Sequence, residues 1–296
     1  MTEPAATPPS RRRLLRWGRE RLAEAGHETP RRVAEWLLAD AVDARRVDLF
    51  ARPEREVPDA ATARYRSMVE RCADGDPLQH VLGYDEFYGL QLQVTPDVLI
   101  PRPETEEVVE RLLALLSDVD PPRVLDIGTG SGCIALALKH ERPEAYVHAC
   151  DVSADALAVA RANAERLALD VRFFEADLFA DGFQRRAPSG MDAVVSNPPY
   201  IPREEAASLP AVVKDHDPAV ALFAGDDPLR FYRRLAEVAP LLCASTGGLL
   251  VVECHAEHAA GVGDVFQKAS LTDVHVEDDL SGRPRIAWGR VPPRDA

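Results

Sequence analysis

The stretch VLDIGTGSG, residues 124–132, decides the fold of this chain. It opens with a short apolar run that predicts a buried strand, and a helical pattern follows its three alternate glycines. Glycine lets the backbone adopt positive φ angles and pass close to a ligand without strain. A strand, a glycine-rich turn and a helix in this order are typical of the nucleotide-type loops of α/β proteins.

The details of this loop separate it from a dinucleotide-binding fingerprint. The spacing is GxGxG, and Cys133 stands where the fingerprint has its third glycine. Asp126 at the strand end would repel a pyrophosphate but would suit a cationic ligand, such as the amino group or sulfonium of S-adenosylmethionine. Asp151 ends the next predicted strand and can accept hydrogen bonds from a ribose diol. The pattern therefore favours a methyl-donor site over a nicotinamide site, with a purely structural tight turn as the alternative.

Strands and helices alternate on the carboxyl-terminal side of this loop. We predict helices over 132–140, 153–167 and 228–239, and strands over 123–126, 146–151, 171–174, 192–196, 248–253 and 283–289. Alternation of this regularity predicts an α/β protein with a doubly wound, mostly parallel, Rossmann-like sheet.

The sequence before this loop has a different pattern of apolar residues. Helical spacing of apolar residues over 12–25, 30–41 and 58–75 predicts a small helical bundle, and the alternation over 86–100 predicts a β-hairpin. We therefore expect a disordered tail over 1–10, an N-terminal helical domain over 11–80, a β-hairpin linker over 81–105 and a methyltransferase domain over 106–296.

A second motif, NPPY, occupies residues 197–200 directly after a predicted strand. Ligands of doubly wound sheets bind at this carboxyl edge. Each proline forces its predecessor into an extended conformation, so Asn197 and Pro198 are held rigidly. The Asn197 side chain and the Pro198 carbonyl can then present two acceptors to one NH2 group, and Tyr200 offers a flat face for stacking. A rigid turn without chemistry is the alternative.

Charge and composition exclude several classes of protein. Asp and Glu number 49 against 35 Lys and Arg, which gives a net charge of −14. Such a surface repels phosphate backbones, so we expect no direct nucleic-acid binding. No run of apolar residues is long enough to span a bilayer, and no apolar segment typical of a secretory signal follows the N-terminal arginines. The five scattered cysteines form no CxxC pair, which favours reduced thiols and a cytoplasmic location.

These motifs together resemble the protein-(glutamine-N5) methyltransferases of peptide-chain release factors, the HemK/PrmC family. The resemblance extends over nearly the whole chain. Besides the two motifs above, it includes DPLQHVLG, EFYG, IPRPETE, DHDP, ALF, GDD and DLSGR, at residues 76–83, 86–89, 100–106, 215–218, 221–223, 225–227 and 279–283. The chain departs from the family pattern after Glu253, where it reads CHAEH over 254–258 in place of a glycine-containing stretch that ends in glutamine.

The resemblance implies a helical substrate-docking domain followed in sequence by a class I methyltransferase domain. It also implies a role for each residue of the two motifs. It implies methyl transfer from S-adenosyl-L-methionine, with S-adenosyl-L-homocysteine as product, to the glutamine of the Gly-Gly-Gln motif of a class-1 release factor. It implies a monomer. The spacing of Cys254, His255 and His258 matches no tetrahedral ligand set, so we expect no metal. Donor contacts are expected at Gly128, Thr129, Gly130, Ser131, Gly132, Asp151, Asp177, Leu178 and Asn197. The glutamine side chain is expected on Asn197, Pro198, Pro199 and Tyr200, with Asn197, Pro198 and Tyr200 as the catalytic residues.

Two other functions remain as alternatives. An N6-adenine DNA or RNA methyltransferase also uses an NPPY-type loop, since the exocyclic NH2 of adenine resembles an amide NH2. Base-flipping enzymes, however, need a basic cleft, which the net charge of this chain opposes. A binding module that has lost turnover is the other alternative, and the intact donor and NPPY motifs oppose it.

Overall fold

The chain consists of two compact units that divide between Gly83 and Tyr84. The computed structural model describes residues 8–207, 209 and 211–294, with the side chains of 211–213 left out. The predicted hairpin lies within the second unit.

The described part of the first unit is helical. Its helices are α1 (Arg11–Glu24), α2 (Pro30–Ala41), α3 (Arg46–Ala51), α4 (Asp59–Ala73) and α5 (Leu78–Leu82). Leu14, Leu37 and Val69 are among the side chains that fill its core. Gly18 marks where α1 crosses α4, because a Cβ at this position would lie 2.0 Å from the Tyr65 hydroxyl.

The described residues begin at residue 8, within the segment predicted to be disordered. Residues 1–7 lie outside the described residues, so the expectation of disorder there has no counterpart in the structure. Pro9 and Ser10 are ordered, contrary to the prediction, because the Val57 N–H donates to the Pro9 carbonyl at 3.0 Å and Ser10 forms a β-bridge with Glu56. This pairing is remote in sequence, and composition carries no sign of it.

The second unit alternates strands with helices. Its strands are β1 (Tyr84–Phe87), β2 (Leu90–Gln93), β3 (Arg123–Ile127), β4 (Tyr146–Asp151), β5 (Arg172–Glu175), β6 (Ala193–Ser196), β7 (Ile201–Pro202), β8 (Phe223–Gly225), β9 (Gly248–Glu253), β10 (Thr272–Asp278) and β11 (Pro284–Val291). Its helices are α6 (Pro103–Leu115), α7 (Cys133–Glu141), α8 (Ala154–Leu167), α9 (Phe183–Arg186), α10 (Ala211–His216), α11 (Ala219–Leu222), α12 (Arg230–Leu242) and α13 (Ala259–Lys268). Across the described ranges, no helix has both the length and the apolar character that a bilayer span needs.

A seven-stranded sheet forms the centre of this unit, in the order β10-β11-β9-β6-β3-β4-β5. The five strands from β9 to β5 run parallel, and β11 pairs antiparallel with both β9 and β10. Strands β6 and β9 are buried along most of their length, as expected when helices cover both faces of a parallel sheet. The predicted α/β, Rossmann-like sheet with an N-terminal helical region is confirmed.

The order of the strands creates a crevice next to β3. From β3 the chain winds outward through β4 and β5, and it then returns to place β6 on the other side of β3. Such a reversal leaves a gap above the carboxyl ends of the two central strands, where ligands of doubly wound sheets bind. The loops after β3 and β6 are those that carry the two sequence motifs.

The hairpin is shorter than the predicted span of 86–100. Strands β1 and β2 pair antiparallel around Tyr88 and Gly89, which both have positive φ, as tight hairpin turns of the primed types require. The pairing ends at Gln93, because Pro96 has no N–H to donate to a strand partner and the chain turns there, with Val98 N bonded to the Thr95 carbonyl.

Candidate active site

The glycine-rich loop after β3 is held by the end of β4. The N–H groups of Gly128 and Thr129 both donate to the Cys150 carbonyl, at 2.8 and 3.0 Å. Gly128 and Gly130 have positive φ, and a Cβ at either position would meet no atom within 4 Å. At Gly132 a Cβ would lie 3.1 Å from Leu136 and 3.3 Å from Ala160. The first two glycines therefore border open space, and the third allows α7 and α8 to approach each other.

Asp151 closes one side of this loop at the end of β4. Its Oδ2 accepts a hydrogen bond from Gly130 N, and its Oδ1 accepts one from Ser153 N, both at 2.9 Å. The carboxylate therefore has a fixed orientation, and each oxygen keeps a lone pair that can accept a further hydrogen bond.

Asp126 lies behind the loop, and the expectation that it faces a cationic ligand is not met. The residue is fully buried, and its Oδ2 accepts a hydrogen bond from the Thr129 hydroxyl at 2.6 Å. Burial, together with the nearby charge of Asp151, raises the pKa of the Asp126 carboxyl to about 7, although the Thr129 hydrogen bond opposes the shift. Asp126 does not line the cleft that Gly128 borders. Asp126 therefore stabilises the glycine-rich loop from its buried side, through the hydrogen bond with Thr129.

A cleft of about 280 Å³ runs along the carboxyl edge of the sheet. Six of the nine predicted donor-site residues line it, namely Gly128, Gly130, Asp151, Asp177, Leu178 and Asn197. The other three, Thr129, Ser131 and Gly132, are buried on the inner side of the loop and do not line the cleft. The middle of the loop thus meets the cleft through alternate residues.

An aromatic cluster that the sequence analysis missed lines the cleft beyond Leu178. The rings of Phe179 and Phe231 pack edge to face with centroids 5.0 Å apart, and the Arg230 guanidinium lies 3.9 Å from the Phe179 ring centre. A flat apolar ligand such as a nucleobase suits this environment. These residues come from two distant segments that carry no motif, so only the fold brings them together.

A second cavity of about 180 Å³ adjoins the cleft at the NPPY motif. Its lining includes Arg102, Tyr200 and Ile201, and it shares Leu99, Asn197, Pro198 and Ala221 with the cleft. Arg102 forms an ion pair of 2.6 Å with the buried carboxylate of Asp217.

Asn197 and Pro198 present unused acceptors where the two cavities meet. The Asn197 Nδ2 donates to the Thr105 hydroxyl at 3.1 Å. Within the described ranges, neither the Asn197 Oδ1 nor the Pro198 carbonyl accepts a hydrogen bond. Both oxygens are therefore available to a donor group in the cavity.

Tyr200 lines the second cavity and forms a hydrogen bond with Glu253. The Tyr200 hydroxyl donates to Glu253 Oε1 at 3.4 Å, and burial raises the pKa of the phenol well above its ordinary value. Tyr200 is therefore a neutral ring. Glu253 ends β9 with about 1% of its surface exposed, and burial raises the pKa of its carboxyl. The sequence analysis did not assign a role to Glu253.

Comparison with known proteins follows the same division of the chain. Residues 13–83 match the family model of the PrmC N-terminal domain, and residues 107–214 match that of the methyltransferase small domain. The release factor glutamine methyltransferase of Geobacter sulfurreducens is 41% identical over 281 residues, which cover 95% of this chain and 96% of that protein. The Bacillus subtilis protein of the same name is 40% identical over 276 residues, covering 92% of this chain and 94% of that one.

The chain belongs to the release factor glutamine methyltransferase family. This confirms the resemblance found in the motifs, and it does not favour the adenine N6-methyltransferase alternative. The family and the fold imply S-adenosyl-L-methionine as methyl donor, so the predicted cofactor is confirmed. The open space at Gly128 and Gly130 and the acceptor oxygens of Asp151 fit such a ligand.

Solved structures add to the description of the fold. A release-factor-specific protein-(glutamine-N5) methyltransferase from Alicyclobacillus acidocaldarius is 30% identical, with a TM-score of 0.41, and covers 68% of this chain and 100% of that one. The catalytic domain of hMettl16, solved with an RNA hairpin, has a TM-score of 0.56 at 16% identity and covers 80% of this chain and 82% of that one. The second likeness shows a common methyltransferase fold.

The described residues contain no group of three or more His, Cys, Asp or Glu side chains arranged to bind a metal ion. His255 of the atypical 254–258 stretch lies near Tyr200: its ring is 5.8 Å from the Tyr200 ring and 5.6 Å from the His258 ring. Burial lowers the pKa of His255, so this imidazole is neutral near pH 7.

Proposed function

We propose that this chain transfers a methyl group from S-adenosyl-L-methionine to the side-chain nitrogen (N5) of the glutamine in the Gly-Gly-Gln motif of a class-1 release factor. The observation that carries the proposal is the meeting of two cavities at Asn197 and Pro198. A donor in the larger cleft and a glutamine side chain in the smaller cavity would face each other across these two residues.

The larger cleft would hold the donor. Gly128 and Gly130 border it without side chains, Asp151 would accept hydrogen bonds from the ribose, and the apolar wall at Leu178 and Phe179 would receive the adenine. When bound, S-adenosyl-L-methionine supplies an electrophilic methyl group. The buried position of Asp126 leaves Asp151 as the carboxylate of these two that lines the cleft.

The smaller cavity would hold and activate the acceptor. An amide nitrogen is a poor nucleophile because its lone pair is delocalised into the carbonyl. The Asn197 Oδ1 and the Pro198 carbonyl would accept its two hydrogens, which directs the lone pair toward the cleft. Placing the nitrogen about 3–3.5 Å from the methyl carbon supplies several kcal/mol. A strong base is not needed, because the methylated amide readily loses its extra proton to solvent.

Tyr200 would hold the planar part of the glutamine side chain, whereas Pro199, which lines the larger cleft, would act through the shape of the loop. The Tyr200 phenol is neutral and anchored on Glu253, so its ring can stack on an amide plane without competing as a charged group. In this proposal Pro199 supplies rigidity to the loop, since its ring fixes the backbone on both sides of its peptide bond.

The first unit would dock the folded partner, since a single glutamine offers little surface for specificity. Residues 1–83 contain 15 arginines and 14 acidic residues, a net of +1, whereas residues 84–296 contain 20 basic and 35 acidic residues, a net of −15. Arg12, Arg16, Arg19 and Arg31 line a recess on the first unit together with the half-exposed Phe50. An acidic protein surface with an apolar side chain would fit it.

The test of this proposal is direct. The protein is incubated with isotope-labelled S-adenosyl-L-methionine and a purified class-1 release factor, and the digested peptides are analysed by mass spectrometry. One added methyl on the glutamine of the Gly-Gly-Gln loop is expected, and none when that glutamine is replaced by alanine. A methyl on another residue, or donor binding without methylation, would refute the proposal. We also propose that the enzyme is a cytoplasmic monomer that binds no nucleic acid directly.

A further inference from the structure

Glu253 is a buried carboxyl next to the proposed site. The mechanism proposed above does not use it as an acid or as a base. It ends β9, is almost fully buried, and forms no ion pair with an arginine or lysine of the described residues. The guanidinium of Arg285 acts on the Glu253 carboxyl electrostatically, but it is itself paired with Asp279 at 3.3 Å. Burying a carboxyl in this way is costly, so its hydrogen-bond partners indicate what it does.

Both partners of Glu253 lie in or next to the NPPY motif. Its Oε2 accepts a hydrogen bond of 2.6 Å from the Thr105 hydroxyl, and its Oε1 accepts one of 3.4 Å from Tyr200. Thr105 is buried in the first turn of α6, with 1% of its surface exposed. The carboxyl therefore connects the start of α6 with the end of the motif.

The hydroxyl of Thr105 fixes the orientation of the Asn197 amide. A threonine hydroxyl has one hydrogen. Because Thr105 gives that hydrogen to Glu253, its oxygen can only accept from Asn197, and the group that donates is Nδ2 at 3.1 Å. The Asn197 Oδ1 is then turned away from Thr105, and it accepts no hydrogen bond from the described residues.

We propose that Glu253 and Thr105 are positioning residues that hold Asn197 with its Oδ1, and not its NH2, toward the acceptor. This inference rests on the proposed function and deepens it. A flipped Asn197 would present donors to the NH2 group of glutamine, which also carries only donors. The acceptor would then lose a hydrogen bond and its alignment.

Turnover measurements with matched variants test this chain of hydrogen bonds. Thr105→Val removes the hydroxyl while keeping the shape, and Thr105→Ser keeps the hydroxyl. Glu253→Leu removes the acceptor, and Glu253→Gln keeps an oxygen for Thr105 and a polar group for Tyr200. We expect Thr105→Val and Glu253→Leu to lower kcat about 10- to 100-fold, the cost of a small misplacement. Thr105→Ser and Glu253→Gln should stay within about threefold, and the donor Kd should be unchanged in all four.

A second measurement reports the orientation of Asn197 without any release factor. The chain contains only two asparagines, Asn163 and Asn197, so side-chain 15N-asparagine labelling gives two NH2 signal pairs, which Asn197→Ala assigns. Asn163 donates to the carbonyls of Gln93 and Ser131, both at 3.0 Å, and serves as the internal control. Thr105→Val and Glu253→Leu should shift the Asn197 pair alone, whereas Thr105→Ser and Glu253→Gln should leave both pairs in place.

The outcomes separate this inference from the proposed function. An unchanged Asn197 pair in Thr105→Val, or an equal loss of kcat in Thr105→Val and Thr105→Ser, overturns the positioning role. If the wild-type protein does not methylate a release factor but its Asn197 pair responds as expected, the positioning role stands and only the proposed acceptor fails. Should Glu253→Leu fail to fold, the two Thr105 variants still decide the question.

Discussion

Asn197 is the residue on which most of the proposed chemistry depends, because it lines both cavities and its Oδ1 accepts no hydrogen bond from the described residues. Its role is to accept a hydrogen and to position a nitrogen, which requires a side chain of one shape with oxygen on one side and nitrogen on the other. Such a requirement differs from that of a general base, where any carboxylate or imidazole of suitable pKa could serve.

Replacing Asn197 should therefore affect turnover far more than donor binding. We expect Asn197→Ala to lower kcat by roughly 100-fold or more, the size of effect seen when a donor or acceptor at the reacting centre is lost. The donor Kd, measured by calorimetry, should change by less than about tenfold. Asn163→Ala, outside both cavities, should keep kcat in whatever fraction of the protein folds. Equal turnover in Asn197→Ala and wild type would contradict the assignment.

Asp126 should make the protein less stable as the pH rises through the weakly acidic range. Its folded pKa is about 7, above the value near 4 of an unfolded aspartate. Below pH 4 the carboxyl is neutral in both states. From about pH 4 to about pH 7 only the unfolded state ionises, so the free energy of unfolding falls by about 1.4 kcal/mol for each unit of pH.

Urea denaturation of Asp126→Asn and wild type over pH 4–8 measures this dependence. The difference between the two free energies of unfolding should change across the range and level off above pH 7. Exposed Asp118→Asn is the control, and its curve should parallel that of the wild type. Parallel curves for Asp126→Asn would show that Asp126 is ionised in the folded protein throughout this range.

Asp126 also shows where a sequence stops being informative at this scale. The residue type and its place at a strand end suggested a cationic ligand, but a carboxyl at that position can point into the cleft or beneath the loop. In the structure the hydrogen bond from the Thr129 hydroxyl holds the carboxyl beneath the loop. No pattern in the sequence indicates that hydrogen bond. The same holds for Glu253, whose partners Thr105 and Tyr200 are distant in sequence.

Among the structural elements, the glycine-rich loop contains glycines with two different roles. One allows a ligand to approach the backbone, and the other allows two helices to pack closely. Both Gly130 and Gly132 have positive φ, which costs other L-residues roughly 1–2 kcal/mol. Gly130 borders open space in the cleft, whereas Gly132 lies against Leu136 and Ala160. Both positions therefore favour glycine because of their backbone conformation, but they face different surroundings.

Alanine at these two positions should give opposite patterns. Gly130→Ala should cost about 1–2 kcal/mol of stability and weaken donor binding, because the new methyl group enters the cleft. Gly132→Ala should cost more stability, since α7 and α8 must move apart, with a smaller effect on the donor Kd of the folded fraction. Calorimetry and urea denaturation measure the two quantities. A larger loss of donor affinity in Gly132→Ala would contradict this division of roles.

Most long elements could be predicted from the sequence, and the failures have a physical cause. Helices α1, α2, α4 and α8 show clear helical periodicity, and the parallel strands appear in the sequence as short apolar runs. Helices α3 and α5 have six and five residues, too few for a period to be visible. Strand β10 is mostly exposed or half-exposed, so it lacks the apolar pattern of its neighbours.

For the whole molecule, the unequal charge of the two units suggests how a partner is recognised. The second unit carries most of the excess negative charge, while the first presents a recess lined mainly by the exposed side chains of Arg12, Arg16, Arg19 and Arg31. Charged surfaces raise the rate of association and make it depend on salt. Docking by the first unit should therefore affect capture of the folded partner rather than the chemical step.

Reversing two of these charges tests the docking surface. Arg16→Glu combined with Arg19→Glu should raise the KM for the folded release factor about 10-fold or more at low salt, with kcat nearly unchanged. Methylation of a short Gly-Gly-Gln peptide should be unaffected. The matched control reverses Arg161 and Arg172, which are exposed on the second unit. An equal rise of KM in both pairs would indicate a general charge effect instead of docking.

The position of β11 has a consequence for folding during synthesis of the chain. This strand is the last of the sheet to be synthesised, yet it lies between β9 and β10 and pairs with both, up to Val291 opposite Gly248. A growing chain therefore cannot complete its sheet before residue 291 is available. Until then, the unsatisfied edge of β9, which ends at Glu253, is open to water and to chaperones. The second unit, which carries the proposed site, therefore becomes complete only after residue 291 has been synthesised.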